Sequence, residues 1–430
     1  MRKDTMRKQK RGLTAGSRLM LVLMAAVLML SAAVLLRWTG GSRPDLTRTQ
    51  ERTAAEATTA PAVAGPEDTA ARASGNNPAA SAAAERTDPP AEIRRAELSA
   101  AGIFALGKNL RQSCYAADTK VYDFTELLSL LKTTLQGDVN TVFLENLLTD
   151  DTKVSDLIVP ASAADALTAA GFQVGLCGFS RAWERKAEGI ANTALALRER
   201  GITPLGTAEA EAEARYVVRD VNGIRIALAQ YTADVSSTVR KNMKKAGSEW
   251  AVPDADPEII AADLTAARAA GADFTVVFLH WGKVGAAKPD KTQTALAQQI
   301  ADAGADVIIG AGSRTVQPAE YLTAGDGRQV LCAWSLGTLM SDDRSTASRI
   351  GGMILHLTLE GDAAGKVRLV QAAYTPTYVW KYRQDSKYYY KCLAANHTPP
   401  DGMDSEQTRL MEKTLQAAQK ALEGSPVDMR

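Results

Sequence analysis

The sequence predicts an α/β protein: a mixed two-sheet sandwich flanked by helices, preceded by one transmembrane helix and a disordered stalk. Three observations carry that expectation. From about residue 96 onward, short apolar runs of strand type alternate with segments whose apolar residues recur at helical spacing, which implies parallel strands covered on both faces. Asn222-Gly223 sits between two alternating runs, the two-residue turn of a hairpin. Near the end, strand-like segments follow one another without intervening helices, which adds antiparallel pieces.

The chain starts with a strongly basic segment, residues 1–18, in which Arg2, Lys3, Arg7, Lys8, Lys10, Arg11 and Arg18 are opposed only by Asp4. An uncharged apolar run follows over residues 19–36, closed by Arg37 and Trp38. At about 1.5 Å per residue, such a helix just spans a hydrocarbon core of roughly 30 Å. The span is therefore placed at residues 19–38. The basic cluster before it stays in the cytoplasm, leaving the main domain outside. The competing reading is a signal peptide cleaved near Ser31-Ala32-Ala33. Both place the main domain outside the cytoplasm. Residues 39–95 are rich in Ala, Thr, Pro and Gly and poor in large apolar groups, so they cannot offset their conformational entropy by burial.

The main domain is expected over residues 96–395. AELSAAGIFAL reads as a buried first strand, FTELLSLLKTTL as a helix, TVFLENLL as a strand, AADALTAAG as a helix and FQVGLCGF as a strand. An amphipathic helix over AEGIANTALALRERG ends at Gly201, and the Asn-Gly hairpin follows. Helix PEIIAADLTAARAAG, strand FTVVFLHW, helix KTQTALAQQIADAG and strand DVIIGAG come next, then strands VLCAWSLG, GGMILHLTLEG and KVRLVQAAYTP. Residues 396–430 form a tail with a helix opened by Ser-x-x-Thr and closed by Gly424.

Composition excludes several classes. The net charge of +1 disfavours nucleic acid, and no Walker loop, dinucleotide fingerprint or nucleophile elbow occurs. The four cysteines, 114, 177, 332 and 392, include no CxxC pair, so no zinc knuckle is expected. Cys177 and Cys332 read as buried small hydrophobes. The pairing state of Cys114 and Cys392 is open. Of the three histidines, His356 reads as a packed strand residue and His397 as exposed, leaving His280 as the candidate for chemistry.

Ligands in alternating β/α folds bind beyond the C-terminal ends of strands. Those ends are Gly102-Ile103, Leu144-Glu145, 177–180, His280-Trp281-Gly282, 310–314 and 335–338. VVFLHWG at 276–282, GADVIIG at 304–310, VQPAEYL at 316–322, WSLGT at 334–338 and the run YTPTYVWKYRQDSKYYYK at 374–391 stand in that order. Taken together, residues 98–392 resemble the CapA-type capsule-synthesis family of bacteria, associated with poly-γ-glutamate. The resemblance implies a calcineurin-like metallophosphatase fold and a divalent metal site.

Most of the metal-site residues that the family implies are substituted. Its Gly-Asp after the first strand is Gly102-Ile103 here, and its Asn-Leu-Glu is Phe143-Leu144-Glu145. Its Asn-Asn-His falls on Gly178-Phe179-Ser180, and the acidic residue beyond His-Trp-Gly is Val284. His-His-Pro-His has become Ala311-Gly312-Ser313-Arg314, and the Asn of Ser-Leu-Gly-Asn has become Thr338. A hydrolytic centre needs several converging donors, and only Glu145 and His280 survive. No metal or other cofactor is therefore expected, a divalent metal being the alternative that the resemblance leaves open. The expected pocket is Glu145, Ser180, His280, Trp281, Ser313, Arg314 and Thr338, with Arg314 supplying fixed positive charge near Glu145.

The functional expectation is a membrane-anchored, extracytoplasmic member of capsule or cell-envelope polymer assembly that binds an anionic polymer or other assembly proteins without catalysis. The alternative is a divergent hydrolase or transferase using Glu145 and His280 as acid and base. A third is a surface-interaction module. The Tyr388-Tyr389-Tyr390 run between Lys387 and Lys391 suggests sugar or nucleic-acid contact, or an edge strand with one packed face; the last is the favoured reading, and nucleic acid is disfavoured by the outside location and neutral charge.

Overall fold

The computed structural model describes residues 93–150 and 154–430; the basic segment, the apolar run and nearly all of the stalk lie outside the described residues. Among the described residues, no helix is long and apolar enough to cross a membrane.

Two mixed sheets form the frame. The larger runs in the order 387–394, 367–384, 353–361, 94–105, 139–144, 174–176 and 203–205. Its first-strand half is parallel toward Thr203–Leu205 and antiparallel toward Lys387–Ala394. The second sheet runs 319–323, 329–333, 307–311, 274–280, 224–232 and 216–221. Its four inner strands are parallel, and a hairpin closes each edge. At one edge Asn222 and Gly223 take φ of +52° and +78°, as a type I′ turn requires.

The faces of the two sheets share one apolar core. Leu98, Ile103 and Phe143 from the larger sheet pack in the same cluster as Ile226, Phe278 and Ile309 from the smaller. The outer faces are covered by helices such as Lys186–Arg198, Pro257–Ala269 and Lys291–Asp302. Asp256 and Asp290 cap the latter two, each carboxylate accepting two backbone N–H groups.

Three expectations are corrected. The segment expected as a helix over FTELLSLLKTTL is a 3-10 helix, Thr125–Leu131, with Leu127, Leu128 and Leu131 on its buried side. The final helix, Ser405–Ala421, is capped by Asp404 with Gln407 in a capping box, rather than by a Ser-x-x-Thr segment. Residues 396–430 are also more than an appended tail. Met411 packs into one core cluster, Ala418, Leu422 and Val427 into the inter-sheet core, and Asp428–Met429 adds a strand beside Val367–Gln384.

All four cysteines are free thiols, Cys114 half-buried and the other three buried. Burial pushes the Cys114 thiol to about 11 and the Cys177 thiol to about 12, so they behave as small apolar groups. His356 is buried in its strand, bonding Ser99 through Nδ1 and Thr375 through Nε2 at 3.0 Å each, and burial lowers it to about 4. His397 is exposed.

Candidate functional site

The two parallel halves deliver their C-terminal ends to one place. Phe143 and Phe278 meet edge to face across the inter-sheet core, with ring centres 5.9 Å apart. Two residues further on stand His280, the last residue of its strand, and Glu145, the first residue past its own. Their approach follows from the same register that packs the two phenylalanines.

His280 is buried and fully committed. Its Nε2 lies 3.0 Å from Glu145 Oε1, and its Nδ1 lies 3.0 Å from Asp234 Oδ1. Asp234 follows the strand Ile224–Thr232, whose parallel pairing sets Thr232 beside His280. The remaining oxygen of Glu145 is taken by Arg314, whose Nε donates to Oε2 at 2.9 Å and whose Nη2 donates to the same atom. The result is one chain of alternating charge, from Asp234 through His280 and Glu145 to Arg314.

Its electrostatics follow from burial and contact. Burial works against a charged His280, but the hydrogen bonds to Asp234 and Glu145 outweigh it and raise the imidazole to about 10. Burial likewise works against a charged Glu145, and the bonds to His280 and Arg314 overcome it, holding the carboxyl below its usual range. Near neutral pH the network is therefore an imidazolium between two carboxylates, with a guanidinium at its end.

The loop that presents Arg314 is tightly placed. Gly312 has φ of +125°, and a Cβ there would lie 2.2 Å from the Trp281 carbonyl oxygen. Arg314 itself is left-handed at φ +56°, with its carbonyl accepting from Thr338 Oγ1 at 3.1 Å. Trp281 stacks on Trp334 with centroids 5.4 Å apart and donates Nε1–H to the Trp334 carbonyl.

Glu145, Ser180, His280 and Arg314 line a cleft of about 530 Å³. Trp281, Ser313 and Thr338, expected in the pocket, do not line it. Trp281 is packed in the core behind it, Ser313 bonds Ser335 and the Thr315 carbonyl, and Thr338 braces Arg314 from behind. Sequence reasoning missed Asp234. The signal available was a carboxylate two residues past a strand whose partner ends in His280. Five carboxylates line the cleft (Glu145, Asp156, Asp234, Asp342 and Asp343), facing Lys108, Arg181, His280 and Arg314.

The donor set does not fit a family-type metal centre. Both imidazole nitrogens hold carboxylates, and the free oxygen of Glu145 holds a guanidinium. Ile103, where the resemblance expects a carboxylate, is buried in the inter-sheet core with its N–H on the Gly337 carbonyl. Among the described residues, no group of three or more His, Cys, Asp or Glu is arranged to hold a metal ion.

The family model for bacterial capsule synthesis proteins (PGA_cap) matches residues 97–343. A capsule biosynthesis protein CapA of Bacillus anthracis is 27% identical over 203 residues, covering 46% of this chain and 47% of that protein. A PGA biosynthesis protein CapA of Bacillus subtilis (strain 168) is 30% identical over 161 residues, covering 37% of this chain and 40% of that one. The matches thus span less than half the length of either relative. Among solved structures, an NAD nucleotidase of Haemophilus influenzae superposes with a TM-score of 0.41 at 10% identity, covering 79% of this chain and 57% of that one. A calcineurin-like phosphoesterase of Bacillus subtilis gives 0.36 at 12%, covering 76% and 99%.

Proposed function

The chain belongs to the bacterial capsule synthesis family, and from that premise we propose that it serves capsule or cell-envelope polymer assembly as a non-catalytic, polymer-binding member. Poly-γ-glutamate is the polymer suggested by the name of the Bacillus subtilis relative, a PGA biosynthesis protein. Its place would be at the membrane, with residues 19–38 as anchor and the two-sheet domain outside the cytoplasm.

One observation carries the non-catalytic reading: Arg314 closes on Glu145, and the family's surviving donors neutralise one another. A histidine held charged up to about 10 is a poor general base near neutrality, and a carboxylate held below its usual range is a weak one. This weighs against the acid–base alternative. Polymer contact would fall instead to the rim, where Lys108 and Arg181 stand among five carboxylates, so local hydrogen bonds to the chain's amides and single carboxylates, rather than net charge, would hold it.

The test is equilibrium binding of a γ-linked glutamate oligomer to the full-length chain, with and without EDTA. Binding should be indifferent to chelator and fall roughly tenfold or more when Lys108 and Arg181 are both changed to Glu. Hydrolysis of the oligomer, or of a phosphate monoester, that disappears with EDTA and with His280→Ala would overturn this reading.

A further inference from the structure

A second cleft, of about 410 Å³, lies away from the first, between the hairpin of Val367–Gln384 with Lys387–Ala394 and the segment 113–127. We propose that it is a saccharide-binding site, taking a neutral glycan of a few pyranose rings.

The hairpin register builds its floor. Tyr382 pairs directly with Tyr389, and Trp380 lies two residues before Tyr382, so all three rings share one face. They are stacked, with centroids 4.4 Å apart for Trp380–Tyr382 and 5.7 Å for Tyr382–Tyr389. Tyr115 lines the opposite wall, where Lys387 Nζ holds its carbonyl at 2.8 Å. Tyr115, Tyr382 and Tyr389 are only half-buried, and their hydroxyls have no hydrogen-bond partner among the described residues. Tyr382 is stacked between Trp380 and Tyr389, and the Lys387 ammonium stands over the Tyr389 ring at 5.4 Å, so the half-buried tyrosines offer ring edges and unpaired hydroxyls, an apolar rim beside donor-acceptors that suits a sugar ring.

The polar groups select for low charge. Asp123 and Glu126 are balanced by Lys387 and Lys391, and Lys391 Nζ sits 2.6 Å from Glu126. Sugar hydroxyls find carboxylate acceptors and ammonium donors together here. The cleft is within the size range of small-ligand sites, and Tyr115, Tyr382, Tyr389 and Tyr390 line it together with charged groups of both signs. A proline-rich peptide also favours aromatic grooves, but it carries no row of hydroxyls to use those paired charges.

The test is calorimetric titration of the full-length chain, in a detergent without a sugar headgroup, with three probes: chitotetraose, cellotetraose and maltotetraose. At least one should bind with Kd of about 1 mM or tighter. Tyr389→Ala should weaken that binding roughly tenfold, while Tyr389→Phe, which keeps the stack, should weaken it less and leave the melting temperature unchanged. Added poly-γ-glutamate should not compete. Failure of all three probes, or binding insensitive to both substitutions, would overturn the proposal. So would a proline-rich peptide that binds the cleft where the sugars do not. None of these outcomes touches the reading of the Glu145 cleft.

Discussion

Arg314 and Glu145 join the two sheets: Arg314 Nε donates to Glu145 Oε2 at 2.9 Å from a residue held at φ +56°. Glu145 follows a strand of the larger sheet, Val139–Leu144, and Arg314 follows a strand of the smaller, Val307–Ala311. The pair is therefore a tie between layers as well as one end of a charge network. Truncating Glu145 strands two cations, His280 and Arg314, in a site that is largely desolvated. Glu145→Ala should cost about 3–5 kcal/mol of stability. The double variant with Arg314→Ala should cost less than the sum of the singles, by about 1 kcal/mol or more in a chemical denaturation cycle. Additive losses would mean that the contact is incidental.

The pH profile of stability has two limbs. His280 is raised from 6.5 to about 10 in the folded chain, so its contribution is complete below 6.5 and is lost as pH rises toward 10. His356 is lowered from 6.5 to about 4 by burial, so falling pH between those values favours the unfolded chain, which binds the proton more readily. Glu145, held below its usual range, adds to the acid limb. Stability should peak near 6.5. His280→Gln should flatten the alkaline limb and, because His280 helps to hold Glu145 down, shrink the Glu145 share of the acid limb while leaving the His356 share, as read by melting temperature across pH.

Gly312→Ala tests the placement of the Arg314 loop. An added Cβ meets the Trp281 carbonyl at 2.2 Å, and the backbone is at φ +125°, so no small adjustment accommodates it. A loss of about 2 kcal/mol or more is expected, with altered fluorescence from the Trp281–Trp334 stack.

Ending the chain after residue 400 removes Met411, Ala418, Leu422 and Val427 from two core clusters and a strand from the larger sheet. The truncated protein should melt roughly 10 °C lower or more, or fail to fold, although the family match stops at residue 343. A melt unchanged by truncation would show that the terminal helix is dispensable.

Much of this was legible in the sequence because strand and helix periods are strong where a sheet is buried on both faces. FTVVFLHW and DVIIGAG read as parallel strands, and Asn222-Gly223 as a turn, because only local chemistry was needed. Glu145 and Arg314 could be paired in advance because both lie at strand ends of a recognisable pattern. Asp234 could not, since its approach to His280 depends on which strands are neighbours. Trp281 and Thr338 misled for a related reason: adjacency in sequence to a site residue does not set which way a side chain points. The aromatic cleft was visible only as a tyrosine run, because its opposite wall comes from Tyr115, far away in sequence.

The most direct measurement is the metal content of the purified full-length chain, expressed with manganese, iron and zinc supplied. A site whose donors are already committed to Arg314 and to each other should retain less than about a tenth of an equivalent of any of them. One or more equivalents, lost together with Glu145→Ala or His280→Ala, would contradict the account and make this cleft a metal centre.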